Sequence, residues 1–289
     1  MYDDILLPFD GSDGAVDVLE HARDIASRTD ATIHLLYVAD TTRNSTTVVD
    51  DRVVDGLVQR GEEVLEEATS SLGTPGVAYE TEVVQGNPAP TIAEYAERYG
   101  HDLVVMPTHG REGVSRYLVG SVSEKVVRLS SVPVLTARMQ SDERLTFPYE
   151  NVLVPTDGSA AASRASEHGI TLAESLDATV HALSAVDDSS VGLDVRATSS
   201  GQDSDGVARE AVEDVASTAS ARGVSETVTH VESGAPVEVI LDYVRSNDVD
   251  AVVMGTTGRR GTERILFGSV AEKTVRSAPV PVITVAELS

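Results

Sequence analysis

The chain has 289 residues, 41% of them hydrophobic and 24% charged, a composition typical of a folded protein with about two domains. Its 47 acidic residues against 22 basic residues give a net charge of −25, which argues against nucleic acid and anionic membranes as partners. The absence of cysteine excludes disulfides, thiolate catalysis and cysteine-based zinc sites.

The negative charge is spread over the whole length, so it does not describe an acidic tail. A folded domain this acidic repels itself unless salt screens the charge, and the screening length falls to about 3 Å near 1 M salt. We therefore expect a protein from an extreme halophile. No basic, apolar-cored leader opens the sequence, and its apolar runs fall far short of the roughly 20 residues of a membrane span, so we expect a cytoplasmic location.

Short apolar runs alternate with amphipathic stretches along the chain. In the first half the apolar runs lie at 5–9, 32–38, 77–84, 102–106 and 132–136. Between the first two runs, apolar side chains recur at helical spacing from Ala15 to Ala26, and Ser12 is placed to cap that helix. This alternation predicts an α/β fold in which helices sandwich a doubly wound, mostly parallel sheet of five strands.

The second half of the chain repeats the first. YDDILLPFDGS at 2–12 recurs as YENVLVPTDGS at 149–159. Likewise, GSVSEKVVRLSSVPVLT at 120–136 recurs as GSVAEKTVRSAPVPVIT at 268–284. Two long matches in the same order indicate that one domain has been duplicated within the chain.

The repeat predicts two tandem domains of one fold, at residues 1–138 and 148–289. Residues 139–147 are polar and lie outside both copies, so we expect them to form a linker. In both halves, the segments that follow the first and fourth strands reach the sheet edge where such folds bind ligands.

The segment after the fourth strand of the second copy has the spacing of a phosphate-binding loop. It reads MGTTGRRGTERILFGSVAEK, in which Gly255, two residues, Gly258 and nine residues precede Gly268 and Ser269 at the start of a helix. Glycines let the backbone approach a phosphate, and a helix N-terminus offers free N–H groups. This construction suits a polyphosphate.

Local charge supports this interpretation. Between the outer glycines, Arg259, Arg260 and Arg264 stand against Glu263 alone, a net positive stretch in an acidic chain. These arginines either bind phosphate or form ion pairs between the domains. The aspartate of each DGS turn after the first strand either contacts a ribose or a metal-bound water, or only shapes the turn.

The pattern G-x2-G-x9-G-[ST] after a strand, the early aspartate and the terminal VPV strand resemble the universal stress protein family in its tandem form, over almost the whole chain. The resemblance implies a Rossmann-like fold, similar to that of the adenine nucleotide alpha hydrolases, that binds ATP or another adenine nucleotide together with Mg²⁺. In the second copy it assigns nucleotide contacts to Asp157, Ala185, Met254, Gly255, Gly258, Arg259, Gly268, Ser269, Val270 and Ala271. In the first copy it assigns them to Asp10, Val38, Met106, Gly110, Arg111, Gly120, Ser121, Val122 and Ser123.

The first copy departs from the pattern at Pro107, which stands in the place of Gly255. Proline has no backbone N–H and a fixed φ, so we expect weaker nucleotide binding in the first copy, or none. His109 takes the place of Thr257 and is expected to be a solvated loop residue.

The resemblance also implies that the last strands of the two copies pair across a pseudo-twofold axis. Apolar edge strands need to be covered, which favours the same arrangement. One chain would then be equivalent to a dimer of single domains, and further association of two chains stays open.

Other binding and catalytic motifs are missing from the sequence. It contains no Gly-Lys-Ser/Thr of a Walker loop, no dinucleotide G-x-G-x-x-G, and no evident Ser/His/Asp or paired-carboxylate set. His21 and His168 fall in predicted helices, and His34 and His181 in predicted strands, so we expect packing positions rather than ligands. We predict no catalytic residue and no metal site.

The function that these features favour is an ATP-binding module in a stress response or its regulation. One alternative is an enzyme that slowly hydrolyses ATP or transfers its nucleotidyl group, which would need a positioned base and a second substrate pocket. The other alternative is a nucleotide-free structural dimer module whose loops are relics.

Overall fold

The computed structural model describes residues 1–42, 51–71, 77–108, 120–140, 143–187, 200–257 and 268–287. The chain forms two compact units, Tyr2–Ser141 and Asp142–Ser289, and Met1 groups with the second. We refer to them as the first and the second domain. Within the described ranges, no helix combines the length and the apolar character needed to cross a membrane.

The first domain alternates strands and helices along the chain. Its strands are β1 (Asp4–Pro8), β2 (Thr32–Asp40), β3 (Ala78–Gly86), β4 (Leu103–Pro107) and β5 (Val134–Ala137). Its helices are α1 (Asp13–Thr29), α2 (Asp51–Ser71), α3 (Pro88–Tyr99) and α4 (Ser121–Leu129). These bounds differ from those of the apolar runs by at most two residues at either end, as is usual for strand ends read from sequence.

The second domain repeats this order. Its strands are β6 (Asn151–Pro155), β7 (Thr179–Val186), β8 (Thr227–Ser233), β9 (Ala251–Gly255) and β10 (Val282–Val285). Its helices are α5 (Ala160–Leu176), α6 (Ser200–Ala221), α7 (Pro236–Ser246) and α8 (Ser269–Ser277). The predicted tandem architecture, with five strands in each half, is confirmed.

Each domain builds its strands into a parallel arrangement. The strand order is β3-β2-β1-β4-β5 in the first domain and β8-β7-β6-β9-β10 in the second. The paired strands within each domain run parallel. The chain therefore winds outward on one side of the first strand and then crosses to the other side, which is the doubly wound topology that the sequence predicts.

The central strands are buried on both faces because helices cover the sheet. Ile5, Leu6 and Leu7 of β1 are fully buried, and every residue of β4 is buried. Strands covered on both sides are continuous hydrophobic runs rather than alternating ones, which explains the sequence LVVM in β4.

The first helix of each domain begins at the serine that the sequence predicts. The Ser12 Oγ accepts a hydrogen bond from the Ala15 N–H at 3.3 Å, and the Ser159 Oγ accepts one from the Ala162 N–H at 3.2 Å. Both helices end at an aspartate in the left-handed conformation, Asp30 and Asp177. The two helices are therefore capped in the same way.

A carboxylate secures the start of the first strand in each domain. The Asp102 Oδ2 accepts hydrogen bonds from the N–H groups of Asp3 and Asp4 at 2.8 and 3.0 Å. The Asp250 Oδ2 does the same for Glu150 and Asn151, both at 2.9 Å. Charge-assisted hydrogen bonds of this kind hold the segment before β4 or β9 against β1 or β6.

The predicted linker is held by the second domain. The Arg144 N–H donates to the Pro279 carbonyl at 2.8 Å, and the Arg144 Nη2 donates to the Val249 carbonyl at 2.9 Å. At least its second half is therefore anchored before β6 begins.

Candidate functional site

The topology places a crevice at the carboxyl ends of two strands in each domain. In the second domain the chain order reverses between β6 and β9, and in the first domain between β1 and β4. In open α/β sheets, ligands bind outside the carboxyl ends of the strands at such a point. The segments that follow these strands are the two that the sequence analysis selected.

The turn after the first strand is shaped by its aspartate. In the second domain the Asp157 Oδ1 accepts a hydrogen bond from the Ser159 N–H at 3.0 Å. In the first domain the Asp10 Oδ1 accepts one from the Ser12 N–H, also at 3.0 Å. The turn-shaping role is therefore present in both domains, and a contact with a ribose stays a prediction for both aspartates.

One threonine joins the two ends of the loop after the fourth strand by backbone hydrogen bonds. In the second domain the Thr256 N–H donates to the Val285 carbonyl at 3.1 Å, and the Thr256 carbonyl accepts from the Gly268 N–H at 2.7 Å. In the first domain Thr108 makes the same pair of bonds, to Ala137 and Gly120. Sequence reasoning missed this threonine, although its recurrence in both copies was a usable signal.

Close packing explains two glycines of the loop pattern. A Cβ atom at Gly255 would lie 2.9 Å from both the carbonyl carbon and the oxygen of Ala161, in the first turn of α5. A Cβ atom at Gly268 would lie 3.0 Å from the Thr256 oxygen. Gly255 therefore lets α5 approach β9, and Gly268 lets the loop close on itself.

The amino end of α8 lacks a side-chain cap. Gly268 occupies the N-cap position in an extended conformation, with φ −62° and ψ 141°, and as a glycine it has no side chain to cap the first turn. Ser269 follows it and is exposed. The first N–H groups of a helix have no partner within the helix and lie at its positive end, so this terminus is suited to an anion.

Charge at this terminus is partly balanced within the helix. The single acidic residue of the first turn, Glu272, forms an ion pair with Arg276 at 2.7 Å. The arginine therefore offsets a carboxylate that would otherwise repel an anion at the helix end.

The first domain contains the same crevice with different packing. Pro107 replaces Gly255, and Gly14 of α1 stands at the position of Ala161. Helix α1 packs against β4 as α5 packs against β9. The second domain therefore has the larger residue on the helix, and the first domain has it on the strand. Pro107 thus accompanies a smaller helix residue, in addition to lacking an N–H donor.

The structure brings most predicted site residues to this edge or just behind it. Four are buried: Met106 and Ser123 in the first domain, and Met254 and Ala271 in the second. The Ser123 hydroxyl donates to the Pro107 carbonyl at 2.7 Å, a bond that Ala271 cannot make. The other described members are exposed or partly exposed at strand ends, turns or helix starts: Asp10, Val38, Gly120, Ser121, Val122, Asp157, Ala185, Gly255, Gly268, Ser269 and Val270.

The middle of each loop lies outside the described residues. This applies to Gly110, Arg111, Gly258, Arg259, His109, Arg260, Glu263 and Arg264. In the part of the chain that the structure describes, no group of three or more histidine, aspartate or glutamate side chains is arranged to hold a metal ion.

The fold and its paired crevices define a tandem, doubly wound α/β protein. The sequence profile of the Universal stress protein family matches residues 1–138 and again residues 148–286. The chain belongs to this family, as its loop pattern indicated.

Individual relatives agree with this assignment. A universal stress protein of Methanocaldococcus jannaschii is 34% identical over 146 residues, which cover 50% of this chain and 86% of that protein. The crystal structure of a universal stress protein from Archaeoglobus fulgidus has a TM-score of 0.73 and 25% identity, with 99% of this chain and 96% of that chain covered.

Proposed function

We propose that the second domain binds ATP, and that the chain is a nucleotide-binding regulatory module of a stress response. The observation that carries the proposal is the amino end of α8, which begins at a glycine that offers no capping side chain and lies at the crevice between β6 and β9. By contrast, serine side chains cap α1 and α5 at the same edge. A phosphate would satisfy the kind of N–H group that a serine satisfies in α1 and α5.

The rest of the proposed site follows from the same edge. Ala185 lies one residue before the end of β7, and Met254 one residue before the end of β9. Between them, the Asp157 turn follows β6. We assign the adenine and ribose to these strand ends and the phosphates to α8, with Arg259 as a further phosphate ligand, as the family resemblance implies.

Magnesium enters the proposal with the nucleotide. Because the described residues contain no metal-binding cluster, the ion would be held chiefly by phosphate oxygens and water, a common arrangement for Mg²⁺. This chain would then supply the surroundings of the phosphates rather than a cage of carboxylates.

We also propose that the two domains form a pair within the chain, equivalent to a dimer of single domains. The support is the tandem match to one family and the repeated order of elements in the two halves. The net charge of −25 favours a salt-rich setting. We therefore predict that the chain is folded at multimolar salt and that its two domains stay associated there.

The decisive experiment removes one main-chain N–H donor at the start of α8 while the helix stays intact. Proline is tolerated at the first helical position, and the residue before it prefers extended backbone, which Gly268 already has. Ser269→Pro therefore removes the N–H of that position while keeping α8. Ser269→Ala removes only the hydroxyl and is the matched control.

We expect calorimetry with Mg-ATP in multimolar KCl to show binding to the native chain. Ser269→Pro should weaken it by roughly 10-fold to 100-fold, the effect of one hydrogen bond to a charged group, and Ser269→Ala should weaken it less. Ser121→Pro changes the corresponding position of the first domain and reports whether that domain binds as well. If the native chain produces no binding heat with saturating Mg-ATP, or if Ser269→Pro binds as tightly as the native chain, the proposed site is wrong.

A further inference from the structure

A second cluster of titratable side chains lies at the opposite edge of the first domain, where the strands begin. The His34 Nε2 lies 2.7 Å from the Asp4 Oδ1, and the His34 Nδ1 lies 3.5 Å from the Glu80 Oε2. Carboxylates accept hydrogen bonds and do not donate them. The His34 ring can donate from Nε2 to the Asp4 carboxylate at hydrogen-bond distance, whereas the contact of Nδ1 with Glu80 is longer.

His101 packs directly against this ring and is 5% exposed. The two imidazoles meet edge to face, with ring centroids 4.7 Å apart and an angle of 89° between the planes. Among the described residues, neither nitrogen of His101 has a hydrogen-bond partner of good geometry, although the Ala96 carbonyl lies near enough to favour the charged form. An imidazole buried in this way costs free energy, and a positive charge there costs more.

The groups around His101 come from every neighbouring element. Burial lowers the pKa of His101, the proximity of His34 lowers it further, and Asp4 and Asp102 raise it by less. From α3, the Tyr95 ring lies 5.6 Å away, and its hydroxyl donates to Glu82 of β3 at 2.6 Å. The titratable and charged groups of the cluster are Asp4, His34, Glu80, Glu82, Tyr95, Arg98, Tyr99 and Asp102.

The second domain has the same histidine with different neighbours. The His181 Nε2 lies 3.1 Å from the Asn151 Oδ1, and the His181 Nδ1 lies 2.9 Å from the Tyr243 hydroxyl. The amide oxygen only accepts, so Nε2 carries the proton and Nδ1 accepts from the tyrosine. Burial lowers the pKa of this ring too, but both of its nitrogens have partners, and the tyrosine oxygen can accept a hydrogen bond from the protonated ring. Val249 occupies the position of His101.

We propose that the His34–His101 pair makes the outer edge of the first domain, formed by β2, β3 and α3, more acid-sensitive than the matching edge of the second domain. Proton uptake by His101 places a positive charge at a buried site that has no hydrogen-bond partner among the described residues, against the His34 ring, and this favours separation of the packed strands and helix. Because the pKa of His101 is lower in the folded state, its contribution to stability is complete above the unfolded pKa of about 6.5. That contribution decreases as the pH falls below this value, until the folded pKa is reached.

Hydrogen exchange tests the proposal, because the two domains of one chain serve as sample and control. The rates of backbone amide hydrogen exchange in the full chain are measured at constant salt at pH 7.5 and at pH 5.5. Each rate is corrected for the pH dependence of exchange in an unfolded chain. Protection of β3 and α3 should fall by up to tenfold per pH unit, the effect of one proton taken up on opening. Protection of β8 and α7 should change much less.

Variants then assign the response to one side chain. His101→Val installs the residue that the second domain has, and it should remove the difference between the domains. His230→Gln changes an exposed histidine of the second domain that is paired with Glu232, and it should leave the response intact. Equal acid responses in the two domains, or an unchanged response in His101→Val, would overturn the proposal.

A measurement on the native chain keeps the test independent of how the variants fold. NMR titration of the His101 ring should give a pKa below the ordinary value, and protection of β3 should fall over the same pH range. An ordinary titration of His101 would reject the proposal even if every variant were stable.

Discussion

Substituting Gly255 by alanine tests whether β9 and α5 are held together by a close backbone approach. The added methyl group would lie 2.9 Å from the carbonyl carbon and oxygen of Ala161 and 3.1 Å from its Cβ atom. Two of these three atoms belong to the backbone, so rotation of a side chain cannot relieve the contact. The first turn of α5 has to move, together with the Ser159 cap that fixes it.

The expected cost is that of overpacking a rigid contact, about 1–3 kcal/mol. For a domain of this size, each kcal/mol lowers the unfolding midpoint by about 2–4 °C. Movement of α5 also displaces the Asp157 turn, so the affinity for Mg-ATP should fall together with stability. Gly206→Ala is the matched control, because a Cβ atom at this exposed position of α6 meets nothing within 4 Å, and it should raise stability by about 0.4–1 kcal/mol.

A double-mutant cycle with Ala161→Gly measures the contact itself. The first domain combines a strand proline with a helix glycine at these positions, so loss of the Ala161 methyl group should recover part of the cost of Gly255→Ala. We expect a favourable coupling of about 0.5–3 kcal/mol by scanning calorimetry or urea unfolding. A Gly255→Ala variant as stable as the native chain would refute the packing argument, whereas strict additivity of the two substitutions would place the clash on the backbone of Ala161 alone.

Three further predictions concern charge and protonation. Asp250→Asn weakens the hydrogen bonds to the Glu150 and Asn151 N–H groups and should cost about 1–3 kcal/mol in urea unfolding, and an unchanged midpoint would show that this carboxylate does not secure β6. Burial lowers the pKa of His21 to about 4, so acid costs the native chain up to about 3 kcal/mol between pH 6.5 and 4. The His21→Leu variant should not lose this stability. A stability difference between the native chain and His21→Leu that stays constant over that pH range would contradict the prediction. Finally, the net charge of −25 predicts a midpoint that rises between 0.15 and 2 M KCl as the screening length shortens, whereas a flat profile would argue against adaptation to salt.

Features that depend on neighbouring residues along the chain could be predicted well. The doubly wound, parallel arrangement of five strands in each domain followed from the alternation of apolar runs and helices, because crossover connections leave few topologies. The caps at Ser12 and Ser159 followed from the residue type before a helical pattern. The repeat supplied the domain organisation, since it shows that one fold occurs twice.

Features that depend on contacts across the fold could not be predicted. Gly255 was interpreted as a phosphate-approach residue, and only its distance to Ala161 shows a packing role. His34 and His181 share one position in the repeat and were expected to be packing residues. The structure gives His34 two carboxylate neighbours and His181 a complete hydrogen-bond set, because their environments come from residues far away in the sequence.

The bonds made by Thr256 have a consequence for how the loop after β9 can change. Because the Thr256 carbonyl accepts a hydrogen bond from the Gly268 N–H, one short bridge joins the two ends of the loop. This bond does not involve the residues between them. Lengthening such a closed segment is entropically cheap, about 0.6 kcal/mol for each doubling. Between Thr256 and Gly268, a reporter peptide could therefore be inserted without altering the sheet. Natural variants could change the ligand preference at the same place.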